Sequence, residues 1–283
     1  MLATLVNPII ITECEKVSDL AYKSLIEEVF TTPKPGLVDA YSSGAHLDMD
    51  INTFIDSANA IKQYYCEMVY IGAVEPNTSK ETFYKVRKCG MEAEAAMFGA
   101  TSGVNTHKGL IFGIGVFSAA YGICLRKGIP INLYNLVREE MTLVTQTLTK
   151  ELKEISDNAR GKGARGEALN GYSSAVMLGL PTLIRGVSMG KNWNLVKLHT
   201  LFTLMEKVSD ANVLSRGGSN ALLRMRERAG DFLVSGGAYK EGAIGELISL
   251  DKDFTKENIS PGGCADLLAV SIFLYYLLGG VSK

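Results

Sequence analysis

The stretch INTFIDSANAIKQYYCEMVY (residues 51–70) decides the fold class. Its apolar residues Ile51, Phe54, Ile55, Ala58, Ile61, Tyr65, Met68 and Val69 recur at steps of three and four. On a helix that spacing puts them on one stripe facing a core. Leu198, Leu201, Phe202, Met205 and Val208 repeat the pattern, as do Val17, Leu20, Ala21, Leu25 and Val29. Extending the reading predicts helices at about 14–30, 50–72, 80–98, 107–127, 131–155, 167–179, 193–208, 219–230, 239–250 and 263–279. No alternating apolar–polar run bounded by hairpin turns interrupts them. The expected fold is all-α, a multi-helix bundle of one domain, with no parallel sheet to receive a nucleotide at its strand ends.

Composition narrows the function. The 283 residues are 47% hydrophobic and 21% charged, ordinary values for a globular chain. Lys and Arg number 29 against 30 Asp and Glu, so the basic excess of a nucleic-acid binder is missing and no nucleic-acid partner is expected. The five cysteines are widely spaced and form no C-x-x-C pair. Residues 1–13 lack a basic start followed by an apolar run, so reduced thiols in the cytoplasm are the expectation. The apolar runs 110–125 and 267–278 fall short of the roughly 20 residues of a membrane span and are expected to be core helices.

Glycine-rich turns punctuate the helices and carry the unusual polar residues. They are TPKPGLVD (32–39), GAHLDMD (44–50), GVNTHKG (103–109), GARGE (163–167), SRGG (215–218) and NISPGGCAD (258–266). Four of them place a Lys or Arg beside glycine. Glycine allows close backbone approach to an anion, and a helix beginning there adds the positive end of its dipole. Repeated along one chain, this pattern suits a polyphosphate site. Residues 161–166 match G-x-G-x-x-G literally, but a charged helical stretch precedes them and no acidic residue follows between Ala168 and Val187, which excludes the dinucleotide reading. The Walker pattern is absent.

Each candidate also has a bland explanation. Asp48 and Asp50 precede a helix, where one caps it or the pair forms a D-x-D metal site. Asp266 either complements a helix dipole or serves the site, and His107 either caps or is simply buried. Glu94 fits an exposed helix face, and His199 stands without a polar cluster.

In their order, PKPGLVD (33–39), GAHLDM (44–49), GVNTHKG (103–109), GARGE (163–167), SRGG (215–218) and SPGGCADLL (260–268) resemble the triphosphoribosyl-dephospho-CoA synthase family. The resemblance spans about residues 32–269. It departs at Asp210-Ala211-Asn212, where the family usually has Asp-Thr-Asn, and at Ala221, where glycine is typical. It implies an enzyme that moves the triphosphoribosyl group of ATP to the ribose 2′-hydroxyl of 3′-dephospho-CoA and releases adenine. The product is the prosthetic-group precursor of citrate lyase or malonate decarboxylase, handed on to a carrier-protein transferase. Mg2+ is expected with the triphosphate, and homo-oligomerisation is left open.

Under that reading Lys34, Lys108, Arg165 and Arg216 bind phosphate oxygens, with Gly217, Gly218 and His46 beside them. Asp39, Glu94, Glu167 and Asp210 supply the general base, the oxocarbenium stabiliser and the metal ligand, while Asn105 and His107 position ribose or adenine, His107 being counted with the catalytic group. Asp48, Asp210 and Asp266 are the candidate Mg2+ ligands. The alternatives are a helical glycohydrolase or phosphotransferase that uses ATP, or a non-catalytic helical interaction module.

Overall fold

Two helices with little polar surface form the centre of the structure. In the computed structural model, which describes residues 8–74, 78–154 and 163–282, these are α4 (Lys108–Lys127) and α11 (Gly262–Leu277). Both are buried nearly all round, as expected of helices apolar on every face. Around α4 pack α2 (Ile51–Val74), α3 (Ser79–Ala100) and α5 (Leu133–Glu154). Around α11 pack α1 (Pro8–Val29), α7 (Leu180–Ser188), α8 (Trp193–Lys207) and α9 (Ala211–Val234). α1 touches both groups, and α4 and α11 touch each other. The short α6 (Gly163–Leu169) lies on α4 and α5, and α10 (Ala243–Lys256) lies beside a 3-10 turn at Gly237–Tyr239. The described residues contain no strand, in keeping with the all-α expectation.

Glycine sets the closest contact. A Cβ at Gly122 of α4 would lie 2.0 Å from the Val69 carbonyl oxygen, and one at Gly72 of α2 would lie 2.2 Å from that of Ala119. The two backbones therefore approach to a distance that no larger residue permits. By length and composition α4 is apolar enough to cross a membrane, and 78% of its apolar window is buried inside the protein. The expected core role of both apolar runs thus holds.

The structure departs from the expected elements where a breaker residue was overvalued. Pro181 occupies the first turn of α7, which continues directly from the π-helical turn Ala175–Gly179, and the helix runs on over 180–188. The helix expected over 167–179 is split: α6 ends at Leu169, Gly171 and Tyr172 take positive φ of 61° and 51°, and a π-helical turn covers Ala175–Gly179. The helix expected from 219 begins at 211, with a break at Gly218 (φ 65°, ψ −165°).

Glu140 is the carboxylate among the buried groups that lack a partner in the described residues. Glu140 of α5 is fully buried, and neither carboxyl oxygen has a hydrogen-bond partner among the described residues. Burial pushes its pKa up to about 9. The folded protein therefore keeps a proton that the unfolded chain loses above about 4.5, so this group lowers stability as pH rises from about 4.5 to about 9. The slope from this group is about −1.4 kcal/mol per pH unit. Glu140→Gln removes it, leaving stability near pH 5 little changed and raising it near pH 8.5. Chemical denaturation at both pH values measures this, and an unchanged pH dependence in the variant contradicts it.

Candidate active site

A cavity of about 600 Å³ opens where the N-terminal ends of α4, α6, α9 and α11 meet the loop 31–50 and the turn after α8. The ends of α4, α6 and α11 lie within glycine-rich segments, whereas SRGG (215–218) lies inside α9, after its first turn. Orphan amides and the helix dipole make such ends favourable to anions.

The loop 31–50 is organised by two carboxylates. Asp39 accepts the amides of Lys34, Tyr41 (2.6 Å) and Ser42 (2.9 Å), folding the loop on itself. Asp251 of α10 accepts the Gly36 amide (2.9 Å) and the Ser42 hydroxyl (2.8 Å), anchoring the loop from outside. Gly36, at φ 73°, has room for no Cβ, because one would lie 2.1 Å from the Ile259 carbonyl oxygen. Burial raises the pKa of Asp39, against the lowering effect of its amide donors and Lys34. Asp39 thus holds the loop from behind and does not line the cavity. Lys34 does line it, buried, with Nζ donating to the Glu28 carboxylate and to the Glu28 carbonyl (2.8 Å).

Arg216 clasps two segments at the cavity wall. Its guanidinium donates to the Ala45 carbonyl (3.0 Å) and to Asn258 Oδ1 (3.0 Å), and its second nitrogen stands 3.4 Å from His46 Nδ1. His46 Nε2 lies 2.8 Å from Ser260 Oγ. Burial, then the Arg216 charge, lowers the His46 pKa, so the ring is neutral and its 3.7 Å approach to Asp48 is not an ion pair. The Asp48 side chain is 63% exposed.

Asp210 caps two helices at once. Oδ1 accepts the amides of Asn212 (2.8 Å) and Val213 (3.1 Å) at the start of α9, and Oδ2 accepts that of Cys264 (2.8 Å) in the first turn of α11. Burial raises its pKa, opposed by these donors. A Cβ at Gly263 would lie 3.0 Å from Oδ2, so glycine makes room for the carboxylate.

The head of α4 presents unpartnered amides to the cavity. Asn105 Oδ1 accepts the Lys108 amide at 3.3 Å, whereas the amides of the cavity-lining Gly109 and Leu110 have no partner among the described residues. Lys108 lines the cavity and pairs with Glu94 at 2.9 Å. Asp266 of α11 packs so tightly on Gly109 that a Cβ there would meet its Oδ2 at 2.1 Å. Burial, with the Glu28 and Asp210 carboxylates nearby, pushes the Asp266 carboxyl well above the usual range. Glu167 of α6 accepts the Ser174 hydroxyl (2.6 Å) and amide (3.2 Å) and lines the same cavity.

The structure therefore gathers Lys34, His46, Asp48, Asn105, Lys108, Glu167, Asp210, Arg216 and Asp266 around one cavity. Glu94 joins through Lys108. His107 lies buried one residue behind the lining, and Gly217 and Gly218 supply the break in α9 without lining the space. Arg165 stands apart, exposed on α6 where its charge acts on Glu151. Its glycine neighbours mark a helix start, but Arg165 is not among the residues that line the shared space. Lys207 takes a place in the lining that the sequence reading did not foresee. It ends α8 beside Glu206 (2.8 Å), like an ordinary solvated pair, and Arg226 holds its carbonyl (3.1 Å). No sequence signal marked it, nor Glu28 or Asp251, whereas Ser260 falls in the glycine-rich segment 258–266.

Comparison with known proteins places the chain in a family. The family model of ATP:dephospho-CoA triphosphoribosyl transferase, CitG, matches residues 14–283. A probable 2-(5''-triphosphoribosyl)-3'-dephosphocoenzyme-A synthase of Photobacterium profundum is 36% identical over 91% of this chain and 86% of its own length. Proteins of the same description from Vibrio cholerae and Salmonella choleraesuis are each 36% identical, over 93% and 94% of this chain and 88% and 92% of theirs. No solved structure matches. The chain belongs to the ATP:dephospho-CoA triphosphoribosyl transferase family.

The double cap yields a specific prediction. In Asp210→Asn one oxygen still caps α9, but the amide nitrogen faces the Cys264 N–H and leaves it unsatisfied. The variant is expected to lose about 1–3 kcal/mol by chemical denaturation. The exposed Asp48→Asn should stay within about 0.5 kcal/mol of the parent. Equal stability of the Asp210 variant and the parent contradicts the capping role.

Proposed function

We propose that this cavity binds ATP and 3′-dephospho-CoA and transfers the triphosphoribosyl group from adenine to the acceptor's ribose 2′-hydroxyl. The observation that carries the reading is the head of α4. Two unpartnered amides, the helix dipole and Lys108 lie beside Asp266, so an anion-holding element adjoins a carboxyl able to carry a proton. Polyphosphate is thereby held next to acid–base groups, as the reaction requires.

The residues divide the work by environment. Lys108, Lys207 and Arg216, with the Gly109 and Leu110 amides, grip the triphosphate, which stays intact throughout. Lys34 is already matched to Glu28, so it fixes the wall and its net field is small. Asp266, kept protonated by burial, gives its proton to the adenine ring as the C1′–N bond breaks and the bonding pair leaves with the base. Glu167, oriented by Ser174, takes the proton of the attacking 2′-hydroxyl as the new C1′–O bond forms. Ionised carboxylates around C1′ stabilise its oxocarbenium character.

Among the described residues no group of three or more His, Cys, Asp or Glu is arranged to hold a metal. That fits Mg2+ carried in by the nucleotide, because this ion commonly takes one or two protein carboxylates and completes its shell with phosphates and water. Asp210 is committed to three amides, so of the three acidic candidates Asp48 is the one available to hold it once Asp266 serves as acid. When bound, Mg2+ offsets the charge of the triphosphate. On the family resemblance, the product then passes to a transferase that loads the carrier protein of citrate lyase or malonate decarboxylase.

With ATP, Mg2+ and dephospho-CoA, free adenine is expected to appear in step with acceptor consumption, with the triphosphate whole on the product by mass analysis. ADP or inorganic phosphate formed at a comparable rate would favour a phosphotransferase, and adenine without acceptor consumption a glycohydrolase. Lys108→Ala should lower kcat/KM for ATP about ten- to a hundred-fold, and Arg165→Ala by less than about two-fold. The reverse order would move the phosphate grip to α6.

A further inference from the structure

Behind the head of α4 runs a line of three polar side chains. The Thr106 hydroxyl donates to Ser57 Oγ at 2.6 Å, and Ser57 Oγ lies 2.6 Å from His107 Nδ1. Ser57 and His107 are buried, whereas Thr106 lines the cavity. His107 Nε2 has no hydrogen-bond partner among the described residues, and the ring stands perpendicular to Phe54 at 5.1 Å between centroids.

The donation from Thr106 to Ser57 gives the line its direction. Each hydroxyl has one proton to donate. Thr106 spends its proton on Ser57, which leaves the Ser57 proton for His107 Nδ1. The imidazole then carries its own proton on Nε2. Burial, with the Lys34 charge, pushes the His107 pKa down to about 3, so no second proton occupies Nδ1 at neutral pH. With its donor committed inward, Thr106 Oγ1 offers only lone pairs to the cavity. It therefore matches a ligand group that donates. A phosphate oxygen, which accepts, is excluded from that position.

We propose that Thr106 is a substrate-binding residue that accepts a hydrogen bond from a ribose hydroxyl of the bound nucleotide, its direction fixed by Ser57 and His107. The ribose is favoured over the adenine amino group by distance along the ligand. Thr106 directly precedes the α4 head that holds the triphosphate, and ribose is the part of ATP attached to it. His107 is thereby a positioning residue and not a general base. The inference rests on the transferase reading for its ligand, while the direction of the line is independent of that reading.

Two measurements test it. First, 15N chemical shifts of His107 in the wild-type protein should show a bare Nδ1 and a protonated Nε2 at neutral pH, and Ser57→Ala should disturb that signature. The chain has three histidines, so single substitutions assign the signals. A proton on Nδ1 overturns the direction of the line.

Second, Thr106→Val should lower kcat/KM for ATP about five- to ten-fold, and Thr106→Ser should recover most of it. With 2′-deoxy-ATP or 3′-deoxy-ATP, whichever lacks the bound hydroxyl, the penalty of Thr106→Val should shrink below about two-fold. An equal penalty on all three nucleotides, or none on ATP, overturns the assignment. Adenine release by the wild-type protein reports separately on the transferase reading, because its absence would remove the ligand and leave the spectroscopic result standing.

Discussion

The Asp210 carboxylate ties the first turn of α9 to the first turn of α11 by accepting amides from both. α11 is the buried axis of one half of the protein, so this joint sets where the glycine-rich turn before it lies. From there the arrangement follows. Asp266, two residues after the bonded Cys264, is delivered to the head of α4, where Gly109 leaves space for it. The break at Gly218 lets the first two turns of α9 carry Arg216 back across the loop 31–50. A buried carboxylate costs desolvation, and three backbone donors offset that cost while fixing the geometry of both helix ends.

The electrostatics of the cavity are mixed. Lys34, Lys108, Lys207 and Arg216 face Glu28, Asp48, Glu167, Asp210 and Asp266 in one lining. Such a lining does not attract a highly charged ligand by bulk field. On the proposed reading it relies on placed amides, on a carboxyl whose pKa is raised by burial and then by its acidic neighbours, and on cations whose partners can be exchanged. Lys108 and Lys207 are themselves exposed and hold half-buried carboxylates in pairs of the kind that contribute little, which on the proposed reading leaves them able to turn to phosphate. Lys34, buried against Glu28, cannot leave without stranding a charge.

Much of this was legible in the sequence, for identifiable reasons. The stripe from Ile51 to Val69 became α2, and the apolar runs became the two central helices, because periodicity and hydrophobicity report burial directly. Glycine beside a cation found the heads of α4 and α6, and in α9 it marked the internal break at Gly218. The same signal misplaced Arg165, because adjacency to glycine fixes the backbone and says nothing of the direction a side chain leaves a helix. Lys207, Asp251, Ser57 and Glu28 escaped notice for the complementary reason. Each sits in a regular helix or at its end, and only tertiary packing brings it to the site. Pro181 and Gly218 show that a breaker residue marks a local bend or a first turn as readily as the end of a helix.

The central claim is that the head of α4 holds the triphosphate beside Asp266. A crystal structure of the protein with ATP and Mg2+ tests it most directly. The account predicts triphosphate oxygens within hydrogen-bond distance of the Gly109 and Leu110 amides, about 2.7–3.2 Å, with the adenine ring against the Asp266 carboxyl. Triphosphate bound elsewhere, for instance along the exposed face of α6 at Arg165, with the α4 head unoccupied, would contradict it.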